Sequence, residues 1–148
     1  MLPAEVRGLL AGEPGDDTWE PVAHLLTTGD DGFPRVCLLS RAELATRADA
    51  IGCVVRARHT IANLHRDGLA VLAVTGEQAA YYIRLRAQTI LDTEDGSGRA
   101  AIAFDIDGVQ ADTLGIPLRP MMFRASSRVR HLEQWDSNRE FLERLGFD

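Results

Sequence analysis

The residues best equipped for chemistry form one run, Arg56-Ala57-Arg58-His59-Thr60-Ile61-Ala62-Asn63-Leu64. It brings cations, an imidazole and a hydroxyl to the start of a helix that directly follows a strand. A helix start adds free backbone amides and the positive end of the dipole, so an anion such as phosphate would be well held there. The same residues have a plainer reading, in which Thr60 only caps the helix and the arginines form a solvated edge.

A second run, Gly32-Phe33-Pro34-Arg35-Val36-Cys37-Leu38-Leu39-Ser40-Arg41, has the pattern of a strand. In an extended chain Cys37 and Leu39 face one way, while Val36, Leu38 and Ser40 face the other. One face is able to line a flat apolar ligand while backbone groups bond its edge. By itself the pattern is that of a core strand. Other constellations point to less. His24, His59, His65 and His131 show no pair with metal-ligand spacing, so no metal site is expected. Asp105 and Asp107 read as the wet face of a strand, and no Gly-x-Ser-x-Gly elbow surrounds Ser40. No side chain stands out as a catalytic acid or base.

Positioning these two runs requires strands with short helices between them. Pro3 to Leu10 carries Val6, Leu9 and Leu10 at helical spacing, which predicts a helix over about 3–11. Val22–Thr28 and Phe33–Ser40 flank Asp30-Asp31-Gly32, a hairpin signal. Ile51–Val55 and Leu69–Val74 read as strands, with a helix of about two turns between them that Thr60 can cap and Gly68 can stop. Ala80–Leu91 alternates Tyr81, Ile83 and Leu85 against Tyr82, Arg84 and Arg86, as a half-exposed strand does. Further strands are expected around Ile102 to Ile106 and over Met121–Ala125. C-terminal helices over about 127–145 follow, the second beginning at Ser137 as a capping box with Glu140. Short strands without helical crossovers predict a mainly β, antiparallel, closed or partly open barrel of six to seven strands, one domain over 1–148.

Composition narrows the function classes. Hydrophobic residues make up 45% and charged residues 26% of the chain, a globular balance. The net charge of −6, with no basic run, opposes nucleic acid. All 16 cationic residues are Arg, so any anion site must use Arg, His, hydroxyls or backbone amides. The two cysteines, Cys37 and Cys53, sit in apolar runs, which fits buried thiols in a reducing compartment. No apolar stretch approaches the ~20 residues a bilayer demands, and the N-terminus lacks a basic segment followed by an apolar one. A cytoplasmic protein without a membrane partner is expected.

Taken in order along the chain, four segments resemble the family of pyridoxamine 5′-phosphate oxidase and related flavin-binding split barrels. They are the hairpin from Thr27 to Val36, the strand end Leu38-Leu39-Ser40, the segment from Arg58 to Leu64, and the strand from Arg66 to Leu72. Order and spacing agree over roughly Val22 to Ala87. The resemblance implies a six-stranded antiparallel split barrel that forms a homodimer with flavin mononucleotide (FMN) in clefts between subunits. It implies that Arg35, Val36, Cys37, Leu38, Leu39 and Ser40 run beside the flavin ring and ribityl chain. Arg58, His59 and Thr60 would hold the phosphate, with Asn63 in the same segment, and Tyr82 would approach the isoalloxazine. Ser40 and Thr60 stand where the family's oxidases commonly carry Lys, and the family's C-terminal substrate motif is not reproduced in Arg128-Val129-Arg130-His131. Oxidation of pyridoxamine phosphate itself is therefore not expected. The functions implied are an FMN-dependent oxidoreductase with an unknown small substrate or a non-catalytic module holding flavin or the deazaflavin F420. A dimeric scaffold with an empty cleft is a third reading.

Overall fold

The computed structural model describes residues 1–148. Its first long-range element is the hairpin of β2 (Ala23–Thr28) and β3 (Pro34–Leu39), paired from Ala23 opposite Leu39 to Thr28 opposite Pro34. The turn is set by chemistry read directly from its residues. Asp31 accepts a hydrogen bond from the Phe33 amide (3.0 Å), and Gly32 takes the left-handed conformation at φ 81°.

β2 and β3 belong to a seven-stranded sheet with β4 (Leu44–Thr46), β5 (Ala50–Val55), β6 (Leu69–Thr75), β7 (Ala80–Asp92) and β8 (Ala100–Asp112). The order is β3-β2-β6-β7-β8-β5-β4, and every neighbouring pair is antiparallel. β3 and β4 are the two edges, so the barrel stays split between them. Two further strands, β1 (Trp19–Pro21) and β9 (Met122–Arg124), pair with each other outside this sheet.

Alternation decides which face is buried. Leu72, Val74, Ile83 and Leu85 point inward with Leu25, Ile102 and Phe104, while Val71, Ala73, Tyr82, Arg84 and Arg86 point outward. Helix α1 (Ala4–Leu10) adds Val6 and Leu10 to this core. Strand β5 is buried along its whole length because a second cluster covers its other face. That cluster packs Phe141 and Leu142 of α4 (Trp135–Arg144), with Phe147, against Val54 and Ala101. The Phe147 ring comes so close to Gly52 that a Cβ there would meet it at 2.8 Å. No helix is long and apolar enough to cross a membrane.

Boundaries differ from the sequence reading where a distant partner decides them. β1 and β4, of three residues each, carry no periodicity and exist because β9 and β5 pair with them. Ser137 does not cap the last helix, which begins two residues earlier at Trp135, with Gln134 in the left-handed region as its N-cap. The Ser137 hydroxyl instead donates to the Gln134 carbonyl (3.0 Å) and accepts from Arg99 (2.8 Å). The capping serine lies further back: Ser126 accepts from the Val129 amide at the start of α3 (Ser127–Leu132).

α1 is fastened by one carboxylate. Glu5 accepts from the amides of Glu77 (2.6 Å) and Gln78 (3.2 Å) and from the Tyr81 hydroxyl (2.6 Å). The Tyr81 bond, then these amides, hold the Glu5 carboxyl below its ordinary range. A carboxyl depressed in the folded state adds stability above its unfolded pKa and loses it as pH falls through the folded value. Tyr81→Phe should therefore cost roughly 1 kcal/mol at neutral pH. In thermal melts at pH 7 and pH 3, the gap between wild type and variant should shrink at the lower pH.

Candidate functional site: the split between the sheet edges

The split holds a cavity of about 290 Å³. One wall is Cys37, Leu38 and Leu39 of edge strand β3; across from it stand Val54, at the end of β5, and Arg56 and Ala57 in the junction to helix α2 (Arg58–Asp67). Glu43, Arg99, Glu133 and Asn138 complete the lining. A second cavity of about 300 Å³ shares Leu38, Leu39, Glu43 and Glu133 and extends to Val22, Ser40, Phe123, Val129 and Trp135. Because β3 pairs only with β2, its other edge carries backbone donors and acceptors that no strand satisfies.

Glu43 is the group common to both cavities that is fixed in place. Its Oε2 accepts from the Ser40 amide (2.7 Å) and from the Ser40 hydroxyl, and its Oε1 accepts from Trp135 Nε1 (2.9 Å). Burial pushes its pKa above the ordinary carboxylate range; the Ser40 and Trp135 bonds oppose that shift, and Glu133 adds to it. The neighbouring Cys37 thiol is pushed up to about 11, by burial first and then by Glu43 and Glu133. It is protonated at neutral pH and a poor nucleophile. Cys53, fully buried, is raised well above the ordinary thiol value by burial.

The cations of the cavity are already engaged. Arg99, 3% exposed, donates to Ser97 (2.9 Å), Ser137 (2.8 Å), Asn138 (2.8 Å) and Asp95 (2.6 Å). It binds the 95–99 turn to α4 and has little left for a ligand. Arg56 donates to the Leu132 carbonyl (3.2 Å) and to Gln134 Oε1 (2.6 Å), so the turn between α3 and α4 sits on the β5–α2 junction.

The two runs singled out in the sequence thus meet across the split, but not all of their residues do. Cys37, Leu38 and Leu39 line the first cavity, and Ser40 lines the second with its hydroxyl committed to Glu43. Arg58 and His59 open α2 just beyond the lining residue Ala57, both exposed. Arg35 lies on the Cys37 side of β3, opposite Thr27 and ion-paired with Asp31 at 3.6 Å. Thr27 is also the residue that Asn63 reaches, so Arg35 stands beside the far half of α2, roughly 7 Å of helix away from Arg58. Asn63 is buried and structural: its amide donates to Thr27 Oγ1 (2.9 Å) and its oxygen accepts from Arg66 (3.1 Å). Val36 and Tyr82 are on the outer face of the sheet, away from both cavities.

Thr60 requires a correction. It is the third residue of α2, not its cap; the N-cap is Ala57, without a side-chain bond, and Thr60 is 2% exposed. The helix starts earlier because Arg58 and His59 tolerate its first turn and Ala57 adopts the extended backbone that a cap position needs. Glu43, Arg99, Glu133, Trp135 and Asn138 went unread as site residues. Their signal lies in tertiary contacts 35 to 92 residues apart, such as Arg99 with Gln134 and Trp135 with Glu43, which no local pattern carries.

No family model matches the sequence, and no curated protein matches it. Solved structures do match its fold. An F420 reductase aligns with TM-score 0.50 and 13% identity over 61% of this chain and 89% of that one. A putative flavin reductase with a split barrel domain from Shewanella frigidimarina gives 0.52 and 12% over 74% and 83%. A Clostridium acetobutylicum protein of the pyridoxinephosphate oxidase family, related to general stress protein 26 of B. subtilis, gives 0.53 and 12% over 71% and 86%. At these identities the likeness is one of fold, and the fold of this chain is the split barrel.

The position of Thr60 reverses what a cap would do on substitution. Asp serves well as an N-cap, but at a buried position inside the helix it must desolvate its charge. Thr60→Asp should therefore be less stable than Thr60→Ala, by roughly 1–3 kcal/mol in urea unfolding at neutral pH.

Proposed function

We propose that this split-barrel chain is a divergent relative of pyridoxamine 5′-phosphate oxidase that holds a flavin-type cofactor in the split and works as an FMN-dependent oxidoreductase on a small substrate. The observation that carries the reading is the meeting of the free edge of β3 with the β5–α2 junction across one cavity. An unpaired strand edge offers the alternating amides and carbonyls that the rim of a flavin ring needs, and Leu38 and Leu39 offer apolar contact. The donor set suits the group: Arg58, His59 and the first amides of α2 would take the phosphate, away from Glu43 and Glu133, which would repel it. Bound there, the flavin would supply hydride or electron transfer. Cys37, Leu38, Leu39 and Ser40 would orient the ring, while Thr60 and Asn63 would hold α2 in place from inside. No side chain of the split is held in place as an acid or base with free access: Cys37 stays protonated, Glu43 is held by three donors, and Glu133 is exposed at the rim.

That lack of an acid or base also favours a second reading, a module that keeps flavin or F420 for sensing or storage. The absorbance spectrum of the purified protein, followed under NADH or NADPH and then air, separates the two. A bound flavin that cycles supports the enzyme, one that stays oxidised supports the module, and protein that binds no added flavin defeats both. Arg58→Ala should weaken FMN roughly tenfold to a hundredfold relative to Arg7→Ala on α1. Equal affinities would remove Arg58 from the phosphate site.

A second copy of the chain would complete the cleft. The outer face of the sheet exposes Val36 (58%), Leu38 (63%), Leu69 (45%) and Tyr82 (37%), an apolar face of the kind a two-fold contact buries. Val36→Glu should shift a dimer toward monomer in light scattering at micromolar concentration. A wild-type protein of monomeric mass with flavin present would overturn this assignment.

A further inference from the structure

We propose that the second cavity of the split is a binding site for a small organic ammonium ion, a protonated amine with an aromatic or branched aliphatic body. The cavity shares Leu38 and Leu39 with the one proposed for the flavin, so the inference rests on the lining residues alone and its test is made without flavin. Val22, Leu38, Phe123, Val129 and Trp135 give it apolar and aromatic walls, and its only charged groups are Glu43 and Glu133. No Arg or His lines it. An apolar cavity of about 300 Å³ with two carboxylates and no base selects for positive charge on an otherwise greasy molecule.

The details favour the same ligand. Ser40 and the Trp135 indole lock the Glu43 carboxylate against the wall, leaving acceptor capacity on Oε1, since an ionised carboxylate has about four lone-pair sites. Glu133, exposed at the rim, has no ion-pair partner. The Phe123 and Trp135 rings stand edge to face, 6.2 Å apart at 81°, and form an aromatic wall for the body of the ligand. Arg130 stands over Trp135 at 5.8 Å from the ring centroid, but its charge is shared between Asp16 and Asp136. Arg56 and Arg99 belong to the adjoining cavity, where the α3–α4 turn, the 95–99 turn and α4 hold their guanidiniums.

The test uses flavin-free protein and isothermal titration with 2-phenylethylammonium, comparing 2-phenylethanol and 3-phenylpropanoate as neutral and anionic molecules of similar shape. The ammonium should bind saturably, the alcohol about tenfold or more weakly, and the carboxylate not at all. Glu133→Gln should weaken the ammonium about tenfold and leave the alcohol unchanged. Val129→Trp, which fills the cavity, should abolish both. Circular dichroism confirms that each variant is folded, and if Val129→Trp does not fold, the Glu133→Gln comparison decides. Equal binding of ammonium and alcohol, or an unaltered ammonium affinity in Glu133→Gln, overturns the proposal, as does the absence of binding by the ammonium probe. Since no flavin is present, neither result bears on the cofactor.

Discussion

A strand has two edges, and the sheet of this protein leaves one edge of β3 and one of β4 without a partner strand. Everything around the split answers that constraint. Backbone donors and acceptors left dry would cost several kcal/mol, so other elements must cover them or a ligand must use them. Glu43 is the central tie. Its side chain takes the amide at the end of β3, its carbonyl takes the Val54 amide of β5 (2.9 Å), and its other oxygen takes the Trp135 indole of α4. One residue thus joins both sides of the split to the helix above them, at the cost of a desolvated carboxylate.

That arrangement lets one place tie the fold together and still frame a recess. A half-buried acid is best tolerated when its lone pairs are used, and here three donors use them. Arg99 follows the same rule with the opposite sign, burying a guanidinium whose neighbours from the 95–99 turn and α4 engage all three of its nitrogens. Both residues fix the walls of the cavities through bonds that a rotamer change would break, so the shape of the split is preorganised rather than left to a ligand.

Much of this fold was legible locally. Asp30-Asp31-Gly32 announced the β2–β3 turn, Gly68 the end of α2, and the Tyr81/Tyr82 alternation told the inner from the outer face of β7, because turn chemistry and period 2 are properties of a few consecutive residues. β1, β4 and the true start of α4 were not legible, since each is set by a partner far along the chain. The site divided the same way. The β3 run and the β5–α2 junction carry their meaning in types and spacing, and the structure brings them across one cavity. Thr60 misled because a hydroxyl one turn into a helix and a hydroxyl at its cap look alike in sequence. Glu43 and Trp135 were opaque because a Glu in a loop and a Trp at a helix start usually signify nothing more than a solvated charge and a packed ring.

The C-terminal helices also bear on how the molecule is made. Arg47 donates to the Gly146 carbonyl across 99 residues, and Phe147 packs on Gly52. Contacts so distant in the chain are slow to close, whereas the β2–β3 and β7–β8 pairs join neighbours. During synthesis all seven strands of the main sheet can therefore assemble before α4 leaves the ribosome, with Glu43 already held by Ser40 and Arg99 by Ser97 and Asp95, but each still lacking its bond to α4. The split gains Glu133, Trp135 and Asn138 only when the C-terminal helices dock, and a chain cut before α3 would keep the strands of the barrel without the wall those helices supply.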